Sequence, residues 1–395
     1  MEVRCGYAIV LKYQPPTSIL QPLSSPLPLR LNMRVVHIVE SFGGGVIGFV
    51  TQLCRFLPQH EHIVLHAVRA GEVDPALTQS RFPEGVQFVQ WAHAVREISP
   101  LADAKAFASL YRIMRQYRGS MFHLHSSKAG FLGRIAARML GIKQVLYTPG
   151  GAAFVRQDIT ATKRSLYGRL EHLANKFAGR VVACSHSEAE AFAAIGVNAL
   201  VIPNGTEILN QHPPPHPFIE RALVVTTGRT TVQKNPALFN AIAAALVNDS
   251  RFAFRWVGAG EMDDMMSSPN VELTGWQTAD QVRGHLAGAH IYLSTAIWEG
   301  LSLSALEAME AGLPLLMSNC PGNTDVVEQG RNGYIYNTAA EAVAYLKEMV
   351  LNLPMLEQMG RYSHLMVRRD HDLQKVADQY EHLYLQCQHT QPQPA

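Results

Sequence analysis

The sequence predicts an α/β protein built from two Rossmann-like, doubly wound domains that face one another across a cleft. Three observations carry this reading. Short apolar runs alternate with helix-period segments from Met33 onward, and the alternation restarts at Ala222. A turn signal, Pro203-Asn204-Gly205, separates the two series. The 395 residues exceed one ordinary domain and suit two of about 150–200 each.

In the first series Val35–Val39 is an apolar run closed by Gly43-Gly44-Gly45, and a helical period follows over Ile47–Leu57. Ile63–Val68 and Val86–Val89 read as strands. Ala102–Tyr117 reads as a helix, with Leu110, Ile113 and Met114 at helical spacing. Met121–His125, Gln144–Tyr147 and Arg180–Cys184 continue the strands, with helices over Ala129–Leu140 and Ser165–Phe177 between them. In the second series the strands are Ala222–Thr226, Ala253–Val257, Val271–Leu273, Ile291–Leu293, Pro314–Met317 and Gly333–Tyr336. Helices are expected over Pro236–Ala245, Asp280–Ala287 and Ser304–Ala311, and a last one over Leu373–Gln386. The expected division is residues 33–203 and 204–372, with 373–395 a helix returning towards the first domain and then a polar tail. Residues 1–32 hold five prolines and no period, and read as a disordered leader or a misplaced start ahead of Met33.

Apolar residues make up 47% and charged residues 17%, enough for sizeable cores. A net charge of +2 argues against a dedicated nucleic-acid binder, but its distribution is uneven. Residues 33–200 carry 19 Lys and Arg against 11 Asp and Glu, whereas 201–370 carry 11 against 17. The first half therefore suits an anionic surface or ligand. The five cysteines form neither a CxxC nor a Cys/His cluster, which fits a reducing compartment without structural zinc. No apolar run approaches the roughly 18–20 residues of a membrane span.

The segment Trp298–Gly312 is the most specific signal. It places Glu299 in a loop after a strand and Glu307 in the first turns of the next helix, at the carboxyl edge where open parallel sheets bind ligands. A carboxylate can accept hydrogen bonds from both hydroxyls of a sugar diol, and a helix start offers free N–H groups to phosphate. Arg229 and Lys234 follow the strand Ala222–Thr226, and their charges suit a diphosphate. Gly44 and Gly45 follow the first strand, where a backbone without side chains can approach an anion. His123 and His125 point to one face of their strand and could serve an acceptor or be hydrogen-bonded core residues. No Asp-x-Asp element is present, so no metal is expected.

Taken in order, these elements resemble the retaining glycosyltransferase family 4, of GT-B fold. The resemblance rests on Glu299-x7-Glu307 with Ala308, Gly312 and Pro314, on Gly228-Arg229 followed by Gln233-Lys234-Asn235, and on Val257-Gly258-Ala259-Gly260. It rests also on Ile202-Pro203-Asn204-Gly205, on His123–Gly130 and on Gly43–Gly45, and spans about Met33 to Tyr384. It implies a UDP- or GDP-sugar donor as substrate and no other cofactor. Glu307 would take the donor ribose, Arg229 and Lys234 the diphosphate, and Glu299 the transferred sugar. Gly44, Gly45, Gly300, Leu301 and Ser302 would complete the donor site. One departure stands out: where such relatives read Tyr-Thr-Pro-His-Gly, this chain has Tyr147-Thr148-Pro149-Gly150-Gly151. His125 is the candidate to replace that histidine beside Glu299 at the reacting centre. Asn323–Gly330 is read as structural. The acceptor implied is a saccharide, carried on a polyprenyl diphosphate, for a bacterial surface polysaccharide such as O-antigen or capsule. A basic helix with Lys163, Arg164, Arg169 and Lys176 would place the chain in the cytoplasm against the inner membrane face. A non-hydrolysing sugar-nucleotide epimerase and a catalytically inactive binding relative remain the alternatives.

Overall fold

The computed structural model describes residues 32–68, 74–95, 99–213 and 220–389. The expectations for residues 1–31 and 390–395 lie outside them. The first series contains β1 (Arg34–Val39), α1 (Gly44–Phe56), β2 (Glu61–His66), α2 (Pro75–Gln79), β3 (Gln87–Gln90), α3 (Pro100–Gln116) and β4 (Met121–His125). It continues with α4 (Ser127–Leu140), β5 (Val145–Thr148), α5 (Ala161–Asn175), β6 (Arg180–Ala183), α6 (His186–Ala194) and β7 (Ala199–Val201). The second contains β8 (Ala222–Thr227), α7 (Pro236–Ala245), β9 (Phe252–Val257), β10 (Val271–Leu273), α8 (Ala279–Ala287) and β11 (Ile291–Ser294). It ends with α9 (Leu303–Glu310), β12 (Leu315–Ser318), β13 (Gly333–Tyr336), α10 (Ala339–Leu351), α11 (Leu353–Asp370) and α12 (Leu373–His389).

The first sheet runs β3-β2-β1-β4-β5-β6-β7 and the second β10-β9-β8-β11-β12-β13, with parallel pairing throughout. Each is a doubly wound sheet. Strand order reverses between β1 and β4 and again between β8 and β11, and a ligand crevice opens at the carboxyl ends beside such a reversal. The strands are apolar on both faces because helices cover both: β1 is buried at five of six positions and β11 at all four.

One face of the first sheet packs on α3 and α4 through Leu110, Met114, Leu132 and Ala136. The other face is covered by α1 and α12, where Phe49 and Leu53 meet Val376, Tyr380 and Tyr384. The C-terminal helix thus completes the core of the N-terminal domain. The chain crosses between domains twice, side by side. Thr206 donates to the His371 carbonyl, and Leu373 donates back to the Thr206 carbonyl. Gly205 is required there: a Cβ would lie 3.0 Å from the Leu373 Cα and 3.1 Å from the His371 carbonyl oxygen.

The short helix α2, the pair α6–β7 and the helices α10 and α11 were not predicted. β7 is a three-residue edge strand with none of its residues buried. Two helices, α10 and α11, adjoin at Asn352, whose side chain caps α11 by accepting from Met355 N–H.

Candidate active site

The loop after β8 is built by close backbone approach. Gly228 has φ 134°, and its carbonyl accepts from the Trp256 indole at 2.8 Å. A Cβ at Gly258 would lie 2.1 Å from that same oxygen, so only glycine fits. Each residue of Gln233-Lys234-Asn235 then has its own task. The Gln233 amide donates to the Trp298 carbonyl at 3.0 Å and to Glu299 Oε2 at 3.2 Å. Lys234 Nζ pairs with Glu299 Oε1 at 2.7 Å. Asn235 takes a left-handed φ of 52° and caps α7 by accepting from Leu238 N–H, with Pro236 at the first helical position.

The loops after β8 and β11 are thereby clamped into one unit. Burial alone would lower the Lys234 ammonium. The Glu299 carboxylate outweighs that and holds it above its ordinary value. Ser302 is the N-cap of α9, accepting from Ala305 N–H, and its hydroxyl lies 3.5 Å from Lys234 Nζ. Glu307 is half-buried on α9. Burial pushes its carboxyl up to about 7 against the pull of Arg283 and Lys234. Glu299, Lys234, Ser302 and Glu307 therefore share one end of the second sheet.

The first domain faces this group. Gly44 and Gly45 are exposed at the start of α1, and Gly43 provides no side-chain cap. Arg229 Nη2 lies 3.9 Å from where a Gly44 Cβ would stand, and Leu303 Cδ1 lies 3.9 Å from that of Gly45. Arg229 is exposed and has no hydrogen bond or ion pair among the described residues. An uncommitted guanidinium and the free N–H groups of a helix start thus flank one gap, a setting for an anion. Gly300 seals the gap at its other end. A Cβ there would lie 2.6 Å from Gly151 N and 2.9 Å from Cys184 Sγ. The Leu301 side chain is buried in the second domain's core, and its carbonyl accepts from Asn204 at 2.9 Å.

His125 is not brought to the gap. It is 1% exposed and belongs to a hydrogen-bonded chain beneath α1 and α12. His62 Nε2 bonds the Leu57 carbonyl, His62 Nδ1 meets His37 Nε2 at 3.1 Å, and His37 Nδ1 meets His125 Nε2 at 3.1 Å. Because a carbonyl only accepts, each neutral ring in turn donates from Nε2. His123 is held by the hydroxyls of Tyr384 at 2.8 Å and Thr148 at 2.9 Å. Burial lowers His37, His123 and His125 well below the ordinary imidazole range. Lys128 is tied to Asp103 at 2.8 Å. At Gly150, φ is 62° and no atom lies within 4 Å of a would-be Cβ, so a side chain there would enter open space.

Sequence alone assigns no separate role to Gln233, which holds Glu299, or to Glu310. Glu310 is buried and accepts from the N–H groups of Leu209 and Asn210, fixing the interdomain segment to α9. Its clue was its place in an otherwise uncharged, mostly apolar run, Ala308–Leu313.

Comparison with known proteins gives the family and the fold. A family model described as "Glycosyl transferases group 1" matches residues 221–352, and one described as "Glycosyl transferase 4-like domain" matches residues 44–205. The UDP-Gal:alpha-D-GlcNAc-diphosphoundecaprenol alpha-1,3-galactosyltransferase of Escherichia coli is 31% identical over 267 residues, covering 61% of this chain and 68% of that protein. Among solved structures, sucrose-phosphate synthase from Thermosynechococcus elongatus superposes with a TM-score of 0.74 at 15% identity, over 90% of this chain and 99% of that one. Anabaena HepE in complex with UDP-glucose superposes with a TM-score of 0.72 at 16% identity, over 90% and 100%.

Proposed function

This chain belongs to the group 1 glycosyl transferases, and from that premise we propose that it moves a hexose from a UDP-sugar to a polyprenyl-diphosphate-linked saccharide, with retention, in bacterial surface-polysaccharide assembly. That it is a glycosyltransferase of GT-B fold follows from the family and the two sheets. Donor, acceptor and stereochemistry are the proposal. The observation that carries it is the Lys234–Glu299 pair at 2.7 Å, which ties the two switch-point loops together opposite Gly44. The printed name of the Escherichia coli relative specifies UDP-Gal and a diphosphoundecaprenol-linked sugar, and the HepE complex holds UDP-glucose; both support this choice. The epimerase and the inactive-relative alternatives are not favoured by the family match and the relatives.

In this reading Arg229, Lys234 and the start of α9 hold the diphosphate, Glu299 holds the sugar hydroxyls, and Glu307 accepts from the ribose diol. The acceptor oxygen bonds to the anomeric carbon on the face the diphosphate leaves. The bond to the diphosphate oxygen breaks, and that oxygen takes the acceptor proton. Cations stabilise the charge gathering on the leaving group.

The Glu307 carboxyl supplies the test. Only its ionised form accepts from both ribose hydroxyls, and in the free protein it loses its proton near pH 7. Between pH 6 and pH 8 its ionised fraction rises about tenfold, and the affinity for a UDP-sugar should rise with it. Glu307→Gln should bind more weakly with a flat profile. Equal affinity and an unchanged profile in Glu307→Gln would remove the assigned role.

Among the described residues no helix is long and apolar enough to cross a membrane. On α5 and its C-cap, however, Leu166 and Leu173 are exposed beside exposed Lys163, Arg169 and the cap residue Lys176. Such a strip suits the surface of an anionic bilayer. Co-sedimentation with anionic vesicles should fall with added salt and in Lys163→Glu/Arg169→Glu/Lys176→Glu; binding unchanged by both would count against it.

A further inference from the structure

The first turn of α6 touches both sides of the gap. Glu188 is 2% exposed and is filled by backbone donors. Its Oε1 accepts from Gly151 N–H at 2.8 Å and Ala152 N–H at 2.9 Å, and its Oε2 from Cys184 N–H at 2.9 Å. It therefore fixes the Gly150–Ala152 loop, whose Gly151 lies against Gly300 of the other domain.

One residue earlier the same turn grips the second domain directly. Ser187 N–H donates to Asp325 Oδ1 at 3.0 Å, and Gly322 N–H donates to Ser187 Oγ at 2.9 Å. Asp325 Oδ2 accepts from Gly322 N–H at 3.2 Å. The carboxylate thus satisfies an unused N–H at a helix start, where negative charge is favoured.

What this grip controls is the position of Glu299. Gly322 has φ 82°, and a Cβ there would lie 2.8 Å from the Glu299 Cβ and 2.8 Å from the Gly300 carbonyl oxygen. Glu299 N–H donates to the Pro321 carbonyl at 3.2 Å. The loop held by Ser187 is thus the one on which Glu299 rests.

We infer that the first turn of α6 is a latch that registers the two domains, with Ser187, Glu188 and Asp325 as positioning residues for the transfer step. The inference rests on the donor assignment above, because it takes Glu299 as the group that must be registered. Glu188 sets the first-domain loop, and Ser187 with Asp325 draws the Glu299 loop onto it. Donor binding needs only the second domain's groups and the α1 start, whereas transfer needs the acceptor domain in register. Loss of the latch should therefore act on turnover.

Asp325 is only partly buried, so its substitution is a gentler probe than that of Glu188. The full chain carrying Asp325→Ala should bind UDP within about threefold of wild type, melt within a few degrees of it, and turn over about tenfold or more slowly. Asp325→Asn keeps an acceptor for Ser187 N–H and should recover most of the turnover. Spin labels placed one on each domain should give a narrow distance distribution in wild type and a broader, longer one in Asp325→Ala. Unchanged turnover with unchanged distances overturns the latch. A matched loss of UDP affinity and melting temperature also overturns it, by assigning Asp325 to the fold of its own domain. Failure of the wild type to bind UDP would instead strike the donor assignment, and the label distances would still decide the latch.

Discussion

Arg229→Ala will lose about 10- to 100-fold in affinity for a UDP-sugar while its melting temperature stays that of the wild type. The guanidinium is exposed and has no partner among the described residues, so the folded protein loses nothing measurable with it. A hydrogen bond to a charged phosphate contributes about 1.5–3 kcal/mol, which sets the expected range. Lys234→Ala behaves differently. The same substitution strips the cation from Glu299, whose side chain is 9% exposed, and leaves a buried carboxylate with only the Gln233 amide to compensate it. Breaking such a pair costs about 3–5 kcal/mol of stability, so activity and melting temperature fall together. Lys234→Met/Glu299→Gln removes both charges and should recover stability but not turnover. Loss of a preorganised cation over the leaving group costs about 100- to 1,000-fold in kcat. Melting curves and steady-state kinetics on the same four proteins separate these outcomes, and a stable Lys234→Ala with ordinary turnover would contradict them.

The second large effect is acid lability of the N-terminal domain. Its buried histidines are held neutral, with His60 and His62 lowered to about 4, chiefly by burial, and His37, His123 and His125 also held well below the ordinary imidazole range by burial. The unfolded chain takes up protons near pH 6.5, before the folded one does. Stability is therefore complete above that pH and lost as pH falls towards the folded values. At pH 5 His60 and His62 alone each remove about 2 kcal/mol. The groups facing the cluster are Tyr380, Tyr384, Thr148 and Cys54, none of which is an anion at this pH. Glu381 lies 3.9 Å from His60 and gives that ring alone a partner once protonated. Urea melts at pH 7.5, 6 and 5 should show a drop of at least 4 kcal/mol, and His62→Gln should shallow the slope by about one proton. Equal stability at pH 7.5 and pH 5 would refute the buried, neutral cluster.

Much of the architecture is legible in the chain because its punctuation is strong. Met121–His125, Val271–Leu273, Gly333–Tyr336 and Pro236–Ala245 were read with their observed ends. Each is a short run with apolar residues at alternate positions or a helical period, closed nearby by turn or capping residues. The helices α10 and α11 carry a signal as well, in the helical spacing of Leu346 and Met349 and of Leu356 and Met359. The strand β7 does not, since three half-exposed residues have no period. At the site, Glu299 and Glu307 stand out as charges in an otherwise apolar, glycine-bounded loop and helix start, and Arg229 and Lys234 as cations that follow a strand end. His125 shows the opposite case. Its spacing placed it on one face of β4, but nothing local said that α12, more than 250 residues later, would close over that face. The roles of Glu188 and Asp325 were illegible for the same reason, since each is defined by a partner distant in sequence or in the other domain.

The central claim is that the second domain's switch point holds the donor's diphosphate, with Arg229 reaching it from the side that faces Gly44. Calorimetric titration of UDP into the wild type and into Arg229→Ala tests it most directly, because neither acceptor nor turnover enters. A single site in the wild type, weakened about tenfold or more in the variant and losing affinity as salt is raised, is the predicted result. Equal UDP affinity in both proteins would contradict it.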